Sequence, residues 1–401
     1  MELLYLSLIF ATVIIVLLFK RPLYQAVLCA LIACCLLFGI SPTKATELTL
    51  KVLTQWSSLS VLVSLYLIVL LQHILEKRDQ IMLAQKDLDS LFHNRRINAS
   101  IAPIFIGLLP HAGAMILCSD IVKDATDPYL EPEEQSFVTS WFRHIPESTL
   151  PTYTGVLLMS TLSGISLNRF VPLMIVPVIV LFLIGYIPFL RKIPKRSDST
   201  DDKNKLSCLS DLIKHLWTLI CVLILILFFK LSVVLSLLIV IAVSYFVYSF
   251  SLSEFLSIIK ESFVVKLLLN SFMVLVLKEF ISYTQVLTLL PDFLSKLPIP
   301  AYMVFALLFF FGGIISGSTA IIALGTPIAF SAINGGVPLM VLLMCMTHGA
   351  SQISPVHVCL VVACEHFNIP ITSLIRKTVP YTLIFCLFAI VYYNILVLFG
   401  F

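Results

Sequence analysis

The sequence predicts an all-α polytopic membrane protein with about ten transmembrane helices, two re-entrant hairpins and two broken helices, arranged as an inverted repeat of two five-span halves. Hydrophobic residues make up 59% of its 401 residues and charged residues only 12%, against about 25% in soluble domains. Apolar stretches of membrane-spanning length recur along the chain. One polar linker divides the chain nearly in half, and both halves list the same elements in the same order.

Composition argues against several other classes. Too little polar surface remains to cover a soluble core, and the apolar runs are continuous, unlike the alternating strands of a membrane β-barrel. The first run lacks a preceding basic segment and a following cleavage site, so we interpret it as a retained span. The net charge of +4 lies mostly in loops, and no nucleic-acid partner is expected. The ten cysteines form no C-x-x-C pair, which predicts neither a disulfide framework nor a structural zinc site.

The first half, residues 1–190, contains regular and interrupted elements. Its clear spans are predicted at about 3–19, 23–40, 57–75 and 171–190, with a short amphipathic stretch at about 45–55. Two apolar regions are interrupted, residues 97–119 by Pro103, Pro110 and Gly113, and residues 136–167 by Pro146 and Pro151. Such backbone is tolerated at membrane depth only where it is buried in protein or lines a cavity. We therefore expect a re-entrant hairpin at about 97–119 and a broken helix at about 136–167.

The second half, residues 209–401, follows the polar linker at 191–208. Its spans are predicted at about 211–229, 231–250, 262–280 and 378–400, with an amphipathic stretch at about 252–260, a hairpin at about 301–331 and a broken helix at about 337–366. At an offset of 204 positions Gly113 aligns with Gly317, His144 with His348 and Pro151 with Pro355. Identity elsewhere at this offset is no better than chance, so the repeat is inferred from element order and these coincidences.

Positive charge predicts the orientation of the two halves. Lys and Arg gather on the cytoplasmic side of membranes, and here they follow the first and third spans and fill the linker. With the N-terminus outside, the linker is cytoplasmic only if residues 97–119 do not cross. The first half then crosses five times, and the second half is inverted. We expect a multi-pass protein of the inner (plasma) membrane, in contact with the lipid bilayer.

The hairpin tips and helix breaks hold the candidate binding residues. Half-helix N-termini suit an anion, unwound carbonyls suit a small cation such as Na⁺, and ionisable residues at this depth are functional candidates. The candidates are His111 and Gly113 at the first tip, Gly317, Ser318 and Thr319 at the second, His144, Glu147, Ser148 and Thr149 in the first break, and His348, Ser351, Gln352 and Ser354 in the second. No cofactor is expected beyond a coupling H⁺ or Na⁺.

Structural interpretations of these residues stay open. The two glycines suit helix packing, and the hydroxyls of Ser318 and Thr319 suit bonds to carbonyls one turn back. Arg143 is four residues before Glu147 and suits an ion pair with it. We interpret His357 and His366 as core or interface histidines, and the acidic residues between positions 120 and 134 as a solvated loop.

Three stretches carry a resemblance to a known family: "APIFIGLLPHAGAMILCSD", "SFVTSWFRHIPESTLPTYTG" and "SPVHVCLVVACEHF". Over essentially its whole length the sequence resembles an uncharacterised prokaryotic membrane family, domain of unknown function 401, and F-R-H-I is the most specific motif. That family is grouped with the ion-transporter superfamily of dicarboxylate, citrate, gluconate and arsenite carriers. The resemblance implies an inverted-repeat fold with two hairpins, often in a homodimer that works by an elevator movement.

The two tips depart from the sodium–dicarboxylate carriers of that superfamily, which have Ser-Asn-Thr motifs there. The second tip reads Gly317-Ser318-Thr319 and lacks the Asn, and the first reads Pro110-His111-Ala112-Gly113 and lacks both hydroxyls. His111 also departs from the Gly-Gly of related family members. Neither dicarboxylate specificity nor Na⁺ coupling therefore follows from the resemblance.

The leading hypothesis is a secondary active transporter, and not an enzyme, that carries a small anion or organic acid with H⁺ or Na⁺. The substrate would bind at the midplane between the tips and the breaks, and His144 and His348 would contact it or carry the coupling proton. Two alternatives stay open. One is an intramembrane serine hydrolase that uses Ser318 and His348. The other is a non-transporting membrane scaffold, which predicts hairpin tips packed shut without a polar cavity.

Overall fold

A computed structural model describes residues 1–19, 21–80, 82–84, 86–87, 94–107, 113–194, 205–355 and 357–401. The predicted all-helical fold is confirmed, since the described residues form helices, turns and connections and contain no strand. Within these described ranges, four helices are long and apolar enough to cross a membrane by themselves: Trp56–Lys77, Leu167–Lys192, Ser207–Leu227 and Ile371–Leu398.

The helices of the first half are α1 (Glu2–Leu18), α2 (Leu23–Phe38), α3 (Pro42–Thr54), α4 (Trp56–Lys77), α5 (Arg95–Ile106), α6 (Gly113–Thr126), α7 (Pro132–His144), α8 (Thr154–Ser163) and α9 (Leu167–Phe189). A 3₁₀ turn follows α7 at Ile145–Ser148. The helical arms of the first predicted hairpin, α5 and α6, pack on each other, and the predicted break separates α7 from α8.

The helices of the second half are α10 (Lys205–Leu227), α11 (Val233–Val247), α12 (Leu252–Glu261), α13 (Val265–Tyr283), α14 (Leu290–Leu294), α15 (Ala301–Ser316), α16 (Ser318–Ala332), α17 (Gly336–Ser351), α18 (Val358–His366) and α19 (Ile371–Leu398). The short α14 and the 3₁₀ turn before it, Val286–Leu289, lie between the predicted span at about 262–280 and the predicted hairpin at about 301–331. Helices α15 and α16 pack on each other as the second hairpin, and the second break separates α17 from α18.

Local sequence fixes several of these helix ends. Both amphipathic helices begin after a serine, Ser41 before α3 and Ser251 before α12, whose hydroxyl accepts the backbone N–H three residues on. Between α15 and α16, Gly317 has φ +83° and ψ +157°, a conformation that only glycine adopts without strain. The bend of the second hairpin therefore requires this glycine.

Helix packing in the first half recurs in the second. Within the first half, α1 packs on α2, α5 packs on α7, and α7 packs on α9. The corresponding pairs in the second half are α10 on α11, α15 on α17, and α17 on α19. Between the halves, α2 packs on α13, α8 packs on α16, and α7 packs on α19. The corresponding contacts with the halves exchanged are α11 on α4, α18 on α6, and α17 on α9. The two halves therefore use corresponding contacts both internally and across their boundary.

Ion pairs join the halves at two corresponding places. Lys51 of α3 lies 2.7 Å from Glu279 of α13, and Arg78 at the end of α4 lies 2.7 Å from Glu254 of α12. Through its hydrogen bond, the Arg78 guanidinium holds the pKa of Glu254 below its usual value. Each amphipathic helix is therefore tied by charge to a span of the other half.

The first helices of the two breaks, α7 and α17, lie at the centre of the molecule. In α17 every residue from Val337 to Ser351 is buried, as an apolar helix that packs on all sides should be. In α7 every residue from Glu134 to His144 is also buried, although the segment is rich in polar side chains. Such burial is costly for polar groups unless they are paired or serve a site.

Each hairpin rests on the break of its own half through a glycine. A Cβ on Gly107, at the end of α5, would lie 2.2 Å from the carbonyl oxygen of Arg143. A Cβ on Gly313, in α15, would lie 2.7 Å from the Cβ of Ala350. Backbone approaches this close explain the small residues at both contacts.

Hydroxyl groups reinforce both contacts. The Tyr153 hydroxyl donates to the carbonyl of Gly107, and the Ser354 hydroxyl donates to the carbonyl of Ile314 over 2.8 Å. In each half, therefore, a side chain from the break satisfies a carbonyl near the C-terminal end of the first hairpin helix, where carbonyls lack helical partners.

The interpretation of residues 120–134 as a solvated acidic loop is wrong for Glu134. Helices α6 and α7 extend into this region, and the buried Glu134 carboxylate lies 2.8 Å from Lys192 and 3.5 Å from Lys377. The carboxylate thus links the ends of α9 and α19 through α7, because two cations converge on it.

Candidate functional site

A cavity of about 400 Å³ lies where the two breaks meet the start of α16. Its polar lining comes from Arg143, Glu147, Ser148, Tyr153 and Thr154 on the first break, Ser318 and Thr319 on α16, and Thr347, His348, Ser351, His357 and Cys359 on the second break. The scaffold alternative predicts hairpin tips packed shut, whereas a cavity with polar side chains in its wall lies between the breaks and the second tip.

Six of the predicted site residues line this cavity: Glu147, Ser148, Ser318, Thr319, His348 and Ser351. A neighbouring cavity of about 440 Å³ shares Glu147, Ser318 and Thr319 with it and is also lined by Gly317. The structure therefore brings both breaks and the second tip together, although the role of these residues in binding stays a prediction.

The remaining predicted residues lie elsewhere. His144, Thr149, Gln352 and Ser354 are buried behind the cavity wall. His111 is outside the described residues, and Gly113 is the first residue of α6. The contribution of the first tip therefore stays a prediction.

The rings of His144 and His357 contact each other beside the cavity. His144 Nδ1 must carry a hydrogen, because it lies 2.5 Å from the Ser140 carbonyl oxygen, which can only accept. In a neutral ring the lone pair then belongs to Nε2, and His357 Nε2 donates to it over 2.9 Å. Glu147 Oε2 lies 3.8 Å from the same Nε2. A proton therefore has three adjacent acceptors here, two imidazoles and a carboxylate.

The amide of Gln352 orients His348. Its Nε2 donates to His348 Nε2 over 3.1 Å and to the Trp141 carbonyl over 3.5 Å, which links the second break to α7. The Nε2 lone pair is therefore engaged, while a serine hydrolase would need a free lone pair on this ring to take the proton of Ser318.

Several buried polar atoms around the first break find no hydrogen-bond partner among the described residues. They are Glu147 Oε2, Ser148 Oγ, Thr149 Oγ1 and Gln352 Oε1. Leaving such a group unpaired costs about 1–3 kcal/mol, so native proteins seldom keep several together. Glu147 and Ser148 line the cavity and can pair there with a bound molecule or with water, whereas Thr149 and Gln352 lie behind its wall.

The start of α16 brings a helix N-terminus to the cavity. Ser318 and Thr319, its first two residues, line the cavity, and the N–H groups of a first helical turn have no intrahelical acceptor. Together with the helix dipole they favour negative charge. Among the described residues of the lining, Arg143 adds the one permanent positive charge and Glu147 the one carboxylate.

Sequence reasoning missed four polar lining residues, Tyr153, Thr154, His357 and Cys359. His357 was interpreted as a core or interface residue, yet it lines the cavity and contacts His144. One signal was present, because His357 and Cys359 follow Pro355 in the same break as the predicted residues.

Comparison with known proteins gives a family and a fold. The family described as "Protein of unknown function (DUF401)" matches residues 3–395, and no curated protein matches the sequence. The crystal structure of the Alcanivorax borkumensis YdaH transporter, whose topology is described as unusual, is similar to this chain with a TM-score of 0.65 over 90% of each chain at 14% identity. At this identity the likeness shows a shared fold, that of a membrane transporter.

Proposed function

The chain belongs to the DUF401 family, and we propose that it is a secondary active transporter of a small anion or organic acid, coupled to H⁺ or Na⁺. The observation that carries the proposal is the cavity of about 400 Å³, in which polar side chains from both breaks meet the N-terminus of α16. The fold shared with a membrane transporter supports the class of function.

We propose further that the two halves form an inverted repeat of ten crossings in all. The corresponding helix contacts within and between the halves support a two-fold relation. The hairpin of α15 and α16 would enter and return on one side of the membrane, as the charge distribution requires.

Two features favour an anionic substrate. A partly buried helix N-terminus stabilises an anion by up to about 2 kcal/mol, and Arg143 carries a permanent positive charge. Both line the cavity. Hydroxyls of Ser148, Ser318 and Thr319 would complete the hydrogen bonds of such a group.

The histidines supply a proton-coupling device. Protonation of the pair formed by His144 and His357 would place positive charge next to Glu147, and its release would restore the neutral contact. His348 lines the same cavity on the opposite break. We propose that substrate binding and protonation are linked at these rings.

The test starts with the purified protein in detergent, screened for thermal stabilisation by small anions with and without Na⁺ and at several pH values. An anion that stabilises the protein is then offered to proteoliposomes with an imposed pH or Na⁺ gradient. We expect gradient-driven uptake that His348→Ala makes independent of pH and that Ser318→Ala weakens.

Ser253→Ala, at the exposed start of α12, is the matched control for Ser318→Ala and should transport like the wild type. Wild-type protein that neither responds to any anion nor takes one up would refute the transporter proposal. Unchanged uptake and pH profile in His348→Ala would remove His348 from the coupling mechanism.

A further inference from the structure

Three potential metal ligands from the two breaks converge beside the cavity. One ring nitrogen of His144, one of His357 and Cys359 Sγ all lie within 4.8 Å of one another. His144 is the last residue of α7, whereas His357 and Cys359 come from the second break more than two hundred residues later. We propose that these three side chains bind a transition-metal ion of the Zn²⁺ class.

The histidine at the centre of the cluster is already oriented as a ligand. A metal-binding imidazole usually donates its other N–H to a carbonyl or carboxylate, which fixes its tautomer and aim. His144 does so through Nδ1 to the Ser140 carbonyl, and the Nε2 lone pair therefore faces His357. This backbone bond gives the ring the same orientation with or without an ion.

A fourth ligand is within reach. Glu147 Oε2 lies 3.8 Å from His144 Nε2 and has no hydrogen-bond partner among the described residues. His357, Cys359 and Glu147 also line the cavity, so an ion held here borders the space where a substrate would bind. The ion would thus have three or four protein ligands, drawn from both breaks, and would border the cavity.

The donor set selects the metal. One thiol sulfur and two imidazole nitrogens match Zn²⁺, whereas Na⁺, Mg²⁺ and Ca²⁺ prefer oxygen ligands. Bonds of about 2.0–2.1 Å to nitrogen and about 2.3 Å to sulfur place tetrahedral ligand atoms roughly 3.3–3.7 Å apart. The observed separations, from 2.9 Å up to 4.8 Å, bracket that range, so small side-chain shifts would suffice.

Metal binding has a defined proton balance. Cys359 binds as thiolate and releases its proton, and His357 moves its ring proton from Nε2 to Nδ1 to free the nitrogen lone pair. In the metal-free cavity the charges of Arg143 and Glu147 cancel, whereas Zn²⁺ with one thiolate adds a net positive charge. This last step rests on the proposed function, because a positive cavity wall would favour an anionic substrate.

Co²⁺ is the probe, since its bonds to thiolate give a charge-transfer absorption that Zn²⁺ lacks. Full-length protein in detergent, stripped with a chelator, should bind Co²⁺ saturably, show this band and lose it on addition of Zn²⁺. Cys359→Ser should abolish the band. Cys364→Ser, which alters another buried thiol of α18, is the matched control and should keep it.

The histidine ligand has its own pair of variants. His357→Ala should weaken Zn²⁺ binding by at least about 10–100-fold, the loss typical of disturbing even the outer shell of a metal site. His357→Cys keeps a ligand and should keep tight binding, which separates loss of a ligand from loss of folding. Zn²⁺ should also release a proton in the wild type and not in Cys359→Ser.

Absence of the Co²⁺ band in the wild type, or an equal band in Cys359→Ser, would overturn the metal site. The outcome is independent of transport. If the protein binds Co²⁺ through Cys359 but takes up no anion, the metal site is supported and the proposed function is refuted. If it takes up an anion but shows no Cys359-dependent band, the proposed function is supported and the metal site is refuted.

Discussion

Replacing Gly107 by alanine tests how the first hairpin is held on the first break. Gly107 ends α5 with φ −58° and ψ −13°, which alanine adopts without strain. The added methyl group would lie 2.2 Å from the Arg143 carbonyl oxygen and 3.0 Å from that of Ile104. Both neighbours are backbone atoms, so no side-chain rotation relieves the contact.

The magnitude follows from three terms. Forcing a methyl group into a closely packed contact costs about 1–3 kcal/mol. The shift would also weaken the hydrogen bond from Tyr153 to the Gly107 carbonyl, worth about 0.5–1.5 kcal/mol. Alanine restricts the unfolded chain and returns about 0.4–1 kcal/mol. We expect Gly107→Ala to destabilise the folded protein by about 0.5–4 kcal/mol.

The assay is reversible unfolding of the purified protein in mixed micelles, followed by tryptophan fluorescence. Gly155→Ala is the control, because its methyl group would meet only the end of the Ile322 side chain, at 3.2 Å, and that side chain can move. The reasoning is refuted if Gly107→Ala is as stable as the wild type or no less stable than Gly155→Ala.

Further substitutions test other contacts with the same assay. Tyr153→Phe removes the hydroxyl that donates to Gly107 and should cost about 0.5–1.5 kcal/mol; unchanged stability would show that the bond does not matter. Gly317→Ala forces a side chain into φ +83° and should cost about 1–3 kcal/mol and lower uptake; wild-type behaviour would contradict the glycine requirement. Because Arg78 holds the pKa of Glu254 below its usual value, their pair stabilises the fold fully above about pH 4.3 and less as pH falls through the lowered pKa. The stability difference between wild type and Arg78→Gln should therefore shrink in acid, and a difference that grows would contradict this sign.

Most helix positions could be predicted from the sequence, because membrane helices correspond to long apolar runs, and proline and glycine mark their breaks. The second hairpin illustrates this, since Gly317 lies at the turn between α15 and α16. The exact ends of the helices were harder to predict. The first hairpin begins at Arg95, after the capping side chain of Asn94, and α6 continues to Thr126, both beyond the predicted 97–119.

Contacts between distant residues could not be predicted in this way. Nothing in the spacing of His144, His357 and Cys359 shows that they meet, because their approach depends on how α7 and the second break pack across the two halves. Glu134 shows the opposite error. Its acidic neighbours suggested solvent, yet Lys192 and Lys377 converge on it from helices far along the chain.

The helix ends around the cavity explain why one site would bind an anion and a cation together. Helix α16 directs its N-terminus to the cavity, and its dipole favours negative charge there. Helices α7 and α17 instead end near it, with Arg143 and His144 in the last turn of one and His348 in the last turn of the other. A helix C-terminus favours positive charge, whether on a protonated histidine or on a bound ion. Each charge bound at one of these ends lowers the electrostatic cost of the opposite charge at the other. Reciprocal linkage then requires that a cation which tightens anion binding is itself bound more tightly when the anion is present, and a transporter that couples the two needs this property.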